Sequence, residues 1–91
     1  MIQPYKSKAV TNLKKASGQI DHILKMIKKG EYCIDIAQQV NAALGLLKKT
    51  NNHILESHLL TCGTKKLATG NQKTKQDFIK EIIRVCNVTN R

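Results

Sequence analysis

The chain has 91 residues, a formal net charge of +10 and only 3% aromatic residues, with no Trp. This length allows one small domain, residues 1–91, and the excess of Lys and Arg favours a polyanionic partner, nucleic acid before an anionic membrane surface. The sequence opens without the apolar core of a signal peptide and has no run of transmembrane length, so we expect a cytoplasmic protein with no membrane partner. It contains no catalytic constellation, which argues against an enzyme.

Helical periodicity begins close to the start of the chain. A three-four repeat of apolar residues predicts a first helix over about residues 4–29, ended by a Lys-Lys-Gly run. The same repeat predicts a second helix over about residues 33–62, which Gly63 should close. A helix this long needs partner helices along its length. The polar residues that follow, 63–72, are expected to form a connection.

A shorter third helix is expected after the connection. Thr74 followed by Asp77 resembles a capping box, which predicts a helix over about residues 74–87. The sequence shows no strand pattern and no internal repeat. We therefore predict an all-α fold, a three-helix protomer with one long central helix, which a second copy completes as a bundle.

Three residues of the second helix could form a metal site. His58 and Cys62 stand four residues apart, so both project from one helical face and could clamp an ion, although plain packing explains either residue alone. Cys33 precedes His58 by 25 residues, which is about 37 Å along a helix axis, too far to share an ion within one chain. Antiparallel pairing with a second copy would bring Cys33 of one chain to His58 and Cys62 of the other, and would create two sites per dimer.

The donor set indicates which ligand such a site would take. Two thiolates and one imidazole suit Cu(I), and suit Zn(II) less well because structural zinc takes a fourth ligand. The same residues would also support a reactive thiol, since a neighbouring His promotes the thiolate. Cys86 falls outside the spacing and is expected to be a small buried hydrophobe or a spare redox thiol. His53 is expected at the surface, on a different face from His58.

These residues carry a resemblance to a known family, the copper-sensitive operon repressors. It rests on Gly18-Gln19-Ile20, on Met26-Ile27 through Tyr32-Cys33, and on Leu55-Glu56-Ser57-His58-Leu59-Leu60-Thr61-Cys62. The superfamily also contains nickel/cobalt, formaldehyde and persulfide sensors, and the resemblance covers roughly residues 13–85. It implies an antiparallel dimer that assembles as a dimer of dimers, with the ligand site between subunits. It also implies a metal-free homotetramer that binds operator double-stranded DNA and releases it when Cu(I) binds.

The resemblance also implies roles for single residues. The three copper-ligand positions are taken by Cys33, His58 and Cys62. Tyr32 takes a position beside the ligands, where its hydroxyl would help to communicate ligation of the His. Copper sensors often place a supporting Glu on the third helix, but that position, counted from Cys62, holds Phe78, and Glu81 lies one turn later. We therefore expect Glu81 as the supporting residue, and the Phe78 departure puts the coupling of copper to DNA release in question.

The family contacts DNA through basic residues on its helical faces, without a helix-turn-helix. The candidate DNA-binding residues here are Lys14, Lys15, Lys48 and Lys49. Lysine keeps phosphate contact but loses the bidentate geometry of arginine, so readout of bases at these positions should be weak. Three alternatives remain: a nickel(II)- or cobalt(II)-sensing repressor, a persulfide- or formaldehyde-reactive repressor that needs no metal, and a Cu(I)-buffering protein without an operator.

Overall fold

The protein forms a helical hairpin with a third helical segment folded back against its end. A computed structural model describes the backbone of residues 1–89 and the side chains of residues 1–86. The helices are α1 (Tyr5–Lys28), α2 (Cys33–His58), α3 (Thr64–Ala68) and α4 (Gln72–Thr89), with a π-helical turn at Leu59–Gly63 between α2 and α3. The described residues contain no strand, which confirms the all-α class with a long central helix. None of their helices is long and apolar enough to span a bilayer.

A tight turn reverses the chain between α1 and α2. Gly30 has a φ of +70°, the left-handed conformation that only glycine adopts at little cost. Its N–H donates to Ile27 O at 3.1 Å, and the Glu31 N–H donates to Met26 O at 3.1 Å. This pair of hydrogen bonds is a Schellman motif, which ends α1 where the Lys-Lys-Gly run predicted a stop.

Small side chains fill the contact between α1 and α2, and the large apolar ones remain outside it. The buried residues along the hairpin are mostly small: Ala9, Ala16, Met26, Ala43, Thr50 and Ser57. The apolar residues of the three-four repeats are 41% to 57% exposed: Val10, Leu13, Ile20, Leu24, Ile27, Val40, Leu44 and Leu47. The repeat predicts the helices correctly, but its apolar stripe is the outer face of the single chain rather than its core.

The central helix does not stop at Gly63 as expected. Gly63 has helical backbone angles (φ −64°, ψ −45°), and the helical path continues through α3 until Thr69 turns extended at ψ 150°. Glycine is favoured here for another reason, because a Cβ on Gly63 would lie 3.1 Å from Cζ of Phe78, which is a tight contact. The residue allows α4 to approach the π-helical turn closely, and so residues 63–68 are helix rather than connection.

The third helical segment begins before the proposed capping box. The side-chain Oδ1 of Asn71 accepts hydrogen bonds from the backbone N–H groups of Lys73 at 3.0 Å and Thr74 at 3.2 Å. Asn71 therefore caps α4, and Thr74 lies inside the helix, so the capping-box prediction is wrong. Phe78, which is buried, anchors α4 against Gly63.

Candidate metal centre and nucleic-acid interface

His58, the last residue of α2, is held between two residues of α4. Its ring packs against the Phe78 ring with a centroid distance of 5.5 Å and a tilt of 33°. Its Nε2 lies 3.2 Å from Glu81 Oε1, which is within ion-pair range. The direction of the contact does not give a hydrogen bond, so this buried nitrogen has no hydrogen-bond partner among the described residues. The structure thus places Glu81, one turn after Phe78, beside the imidazole.

Cys62 lies within the π-helical turn that follows His58. π-helical turns are rare inside α-helices and are frequent at functional sites. Two threonine hydroxyls donate hydrogen bonds to backbone carbonyl oxygens at this turn. Thr61 Oγ1 donates to Ser57 O at 2.8 Å, and Thr64 Oγ1 donates to Thr61 O at 2.9 Å. Such bonds compete with the regular helical ladder and favour local distortion. This turn was not predicted from the sequence, although the threonines and Gly63 are signals of it that the sequence contains.

His58 and Cys62 open onto the same groove. This groove has a volume of about 320 Å³ and is lined by both candidate ligands, by Glu81 and by Met1. Cys62 is a free, exposed thiol. Met1 reaches the groove because the backbone N–H of the next residue, Ile2, donates to Oγ of the buried Ser57 at 3.0 Å. Two of the three predicted donors are therefore brought together within one chain.

The third predicted donor, Cys33, lies at the opposite end of the molecule. It is the first residue of α2, and it is a free, exposed thiol. Since α2 runs without interruption to His58, the two residues are about 37 Å apart along the helix axis. Tyr32, which precedes Cys33 in an extended conformation, is also exposed and lies far from His58. Within residues 1–86, no three His, Cys, Asp or Glu side chains gather into one metal-binding group.

The donors at the groove nevertheless fit a soft metal ion. The half-buried imidazole of His58 and the exposed thiol four residues later both line the groove, where they could coordinate an ion. The carboxylate beside the imidazole resembles the outer partners that orient metal-ligating His residues. One further thiolate would complete a three-coordinate set suited to Cu(I). Cys86, the remaining thiol, is half-buried on α4.

The candidate DNA-binding lysines lie in the same half of the hairpin, two on each helix. They are the four exposed residues Lys14, Lys15, Lys48 and Lys49. Tyr5 of α1 meets His53 of α2 across the hairpin, with ring centroids 6.4 Å apart, which sets the register of the two antiparallel helices. Counting inwards from that contact, the two pairs of lysines are offset by about five residues, which is about 7.5 Å along the helix axes. Residues 1–20 and 36–55 contain no Asp or Glu, so no carboxylate from these stretches offsets their charge.

Comparison with known proteins finds related transcriptional repressors. The family model for metal-sensitive transcriptional repressors matches residues 5–87. The chain is 29% identical over 79 residues to the copper-sensing transcriptional repressor CsoR of Mycobacterium ulcerans, covering 87% of this chain and 68% of that protein. It is 32% identical over 78 residues to CsoR of Mycobacterium tuberculosis, covering 86% of this chain and 63% of that protein. The chain therefore spans about two thirds of the length of these relatives.

A solved structure has the same fold. It is a variant of the formaldehyde-responsive regulator FrmR from Salmonella enterica serovar Typhimurium, with a TM-score of 0.70 and coverage of 97% of both chains. Its sequence identity to this chain is 21%, so the likeness concerns the fold alone. The arrangement of α1, the long central helix and α4 is therefore that of a solved regulator.

Proposed function

The chain belongs to the metal-sensitive transcriptional repressor family, and on that basis we propose that it is a Cu(I)-responsive repressor. In this proposal the metal-free protein binds operator DNA, and Cu(I) held by Cys33, His58 and Cys62 releases it. The observation that carries the proposal is the groove in which His58, Cys62 and Glu81 meet. The names of the copper-sensing relatives support the choice of metal.

The proposed site lies between subunits, because one chain supplies only part of it. The hairpin exposes an apolar groove of about 270 Å³, lined by Ile20, Ile23, Leu24, Val40, Ala43, Leu44 and Leu47. A contiguous apolar face of this kind marks an interaction surface, and a second copy presents a matching one. Antiparallel pairing about a two-fold axis would bring Cys33 of one chain to His58 and Cys62 of the other. Two such dimers would then assemble into the homotetramer.

In this proposal each donor has a distinct role. Glu81 beside Nε2 of His58 leaves Nδ1 as the natural metal donor, since ligating imidazoles commonly give their other nitrogen to a carboxylate. Cys62 and the second copy's Cys33 supply the thiolates. Bound Cu(I) would link the end of the central helix of one chain to the start of the central helix of the other. Nickel and cobalt favour sites with several imidazole or carboxylate donors, and the residues that line the groove include one imidazole, His58, and one carboxylate, Glu81.

DNA release follows from thermodynamic linkage. If the metal binds more tightly to a tetramer with low DNA affinity, then DNA must weaken metal binding by the same factor. The four exposed lysines of the hairpin supply phosphate contacts, and the affinity of the protein for DNA should fall steeply with salt. We propose that ligation at the ends of the central helices changes the relative positions of the lysine-bearing faces, and so changes their contacts with the duplex.

Two experiments test the proposal. In the first, reduced protein is titrated anaerobically with Cu(I) in competition with a chelator of known affinity. We expect one tightly bound ion per chain, and a loss of several orders of magnitude in His58→Ala. In the second, an operator is selected from random duplexes and footprinted with and without Cu(I). Binding that is indifferent to His58 would refute the site, and tight copper binding with no footprint would indicate a copper buffer.

A thiol-reactive repressor is the second candidate, favoured by the exposure of both Cys33 and Cys62. The fold likeness to a formaldehyde-responsive regulator is compatible with it. The distinguishing measurement is mass spectrometry of the tetramer after persulfide or formaldehyde treatment. A Cys33–Cys62 cross-link between chains, formed together with DNA release and without metal, would favour this candidate over Cu(I).

A further inference from the structure

A polar pocket lies between α1 and α2, where His53 of α2 faces the first half of α1. It has a volume of about 220 Å³ and is lined by Ser7, Lys8, Thr11, Asn12 and His53. The four α1 residues fall on one face of the helix, because their spacing follows the helical turn. His53, expected at the surface from the sequence, is instead half-buried and closes the pocket from α2.

The groups that line this pocket favour an anion. Lys8 supplies a positive charge, and no carboxylate lines the pocket. His53 Nδ1 is buried and has no hydrogen-bond partner among the described residues. Thr11 and Asn12 add a hydroxyl and an amide, both of which can donate hydrogen bonds. The hydroxyl of Ser7 is already engaged, because it donates to Gln3 Oε1 at 2.7 Å.

The pocket continues the basic face of the hairpin. Along α1, Lys8, Asn12 and Lys15 follow one another at intervals of four and three residues, and so lie on one face. Along α2, Lys49 and His53 are four residues apart and share a face in the same way. On α2, His53 therefore lies about one turn from Lys49, and on α1, Lys8 lies about two turns from Lys15.

We propose that this pocket binds a backbone phosphate of double-stranded DNA, with Lys8 as its charge and Asn12, Thr11 and His53 as hydrogen-bond donors. The inference rests on the proposed function as a DNA-binding repressor and extends its contact surface to the start of α1. A duplex is the favoured source of the phosphate because the lysines of the same face would hold neighbouring phosphates. His53 donates through Nδ1 in the tautomer or charge state that carries a proton there.

The test compares two lysine variants that change the net charge equally. Binding to a mixed-sequence duplex is measured over a range of salt concentrations for Lys8→Gln and for Lys29→Gln, an exposed residue at the far end of α1. One lost phosphate contact lowers the slope of log affinity against log salt by about 0.9. We therefore compare the fold-loss of DNA affinity when the salt concentration rises four-fold. For each contacting protomer, this fold-loss should be about 3.5 times smaller in Lys8→Gln than in the wild-type protein. Lys29→Gln should keep the wild-type slope.

A second variant tests the pocket without removing a lysine. Asn12→Asp places a carboxylate where the phosphate would bind, and it should weaken binding about ten-fold or more because like charges repel within the pocket. Equal slopes for the two lysine variants, or normal DNA affinity in Asn12→Asp, would overturn the pocket while leaving the repressor proposal intact. Failure of the wild-type protein to bind DNA at all would refute both proposals.

Discussion

Removal of the Glu81 carboxylate should lower the Cu(I) affinity strongly and the free energy of unfolding only slightly. The His58 and Glu81 side chains are 29% and 48% exposed, so solvent screens their interaction. An ion pair of this exposure contributes about 0–1 kcal/mol to stability. Outer partners of metal-ligating His residues, in contrast, commonly change metal affinity by about 10–100-fold. We therefore expect Glu81→Ala to lose about 10–100-fold in Cu(I) affinity with little change in unfolding free energy.

The assay is anaerobic competition for Cu(I) against a chelator, paired with urea denaturation of the same samples at one protein concentration. Glu56→Ala is the matched control, because Glu56 is an exposed carboxylate of α2 two residues before His58. It removes the same charge without removing the contact to the imidazole. If the two variants bind Cu(I) equally well, the carboxylate does not position His58. If Glu81→Ala unfolds at a much lower urea concentration, the contact between Glu81 and His58 stabilises the fold more than a solvent-screened ion pair can.

Three further predictions concern the fold and the assembly. Gly63→Ala should lower the free energy of unfolding by about 1–3 kcal/mol in urea denaturation, because its Cβ would lie 3.1 Å from the Phe78 ring. An unchanged urea midpoint would show that the ring moves freely. Asn71→Ala should cost about 0.5–2 kcal/mol in the same assay through loss of the α4 cap, whereas Asn71→Asp should retain most of the stability. Leu44→Glu should reduce the mass measured by light scattering towards that of one 10.2 kDa chain, because it charges the apolar face; an intact tetramer would place the interface elsewhere.

Much of the fold was predictable because it depends on local signals. The three-four repeat of apolar residues requires no tertiary information, and it predicted α1 and the long central helix. The Lys-Lys-Gly stop after α1 was predictable for the same reason, since the left-handed turn at Gly30 is a property of the backbone there. The end of the central helix was not predictable, because Gly63 serves a contact with a side chain on α4 rather than a turn.

Part of the candidate site was likewise predictable from the sequence, and part depends on tertiary packing. The spacing of His58 and Cys62 was sufficient to predict a shared helical face, and the length of α2 was sufficient to predict that Cys33 lies far from them. The residue of α4 that meets the imidazole depends on how α4 packs on the π-helical turn. Counting along the sequence gives Phe78 at the family position and Glu81, one turn later, as the expected supporting residue. The structure brings Glu81 to Nε2 and packs the buried Phe78 ring against the imidazole.

The sequence by itself determined the helices, the excess of positive charge and the identity of the candidate ligands, because each of these depends on residue type and spacing. Only the tertiary structure decided which face of each helix remains exposed. Small residues pack in the α1–α2 contact, since they allow the two helices to approach closely, and this leaves the large apolar residues outside. It also decided that His53 closes a polar pocket with α1, because that arrangement depends on the register of two helices distant in sequence.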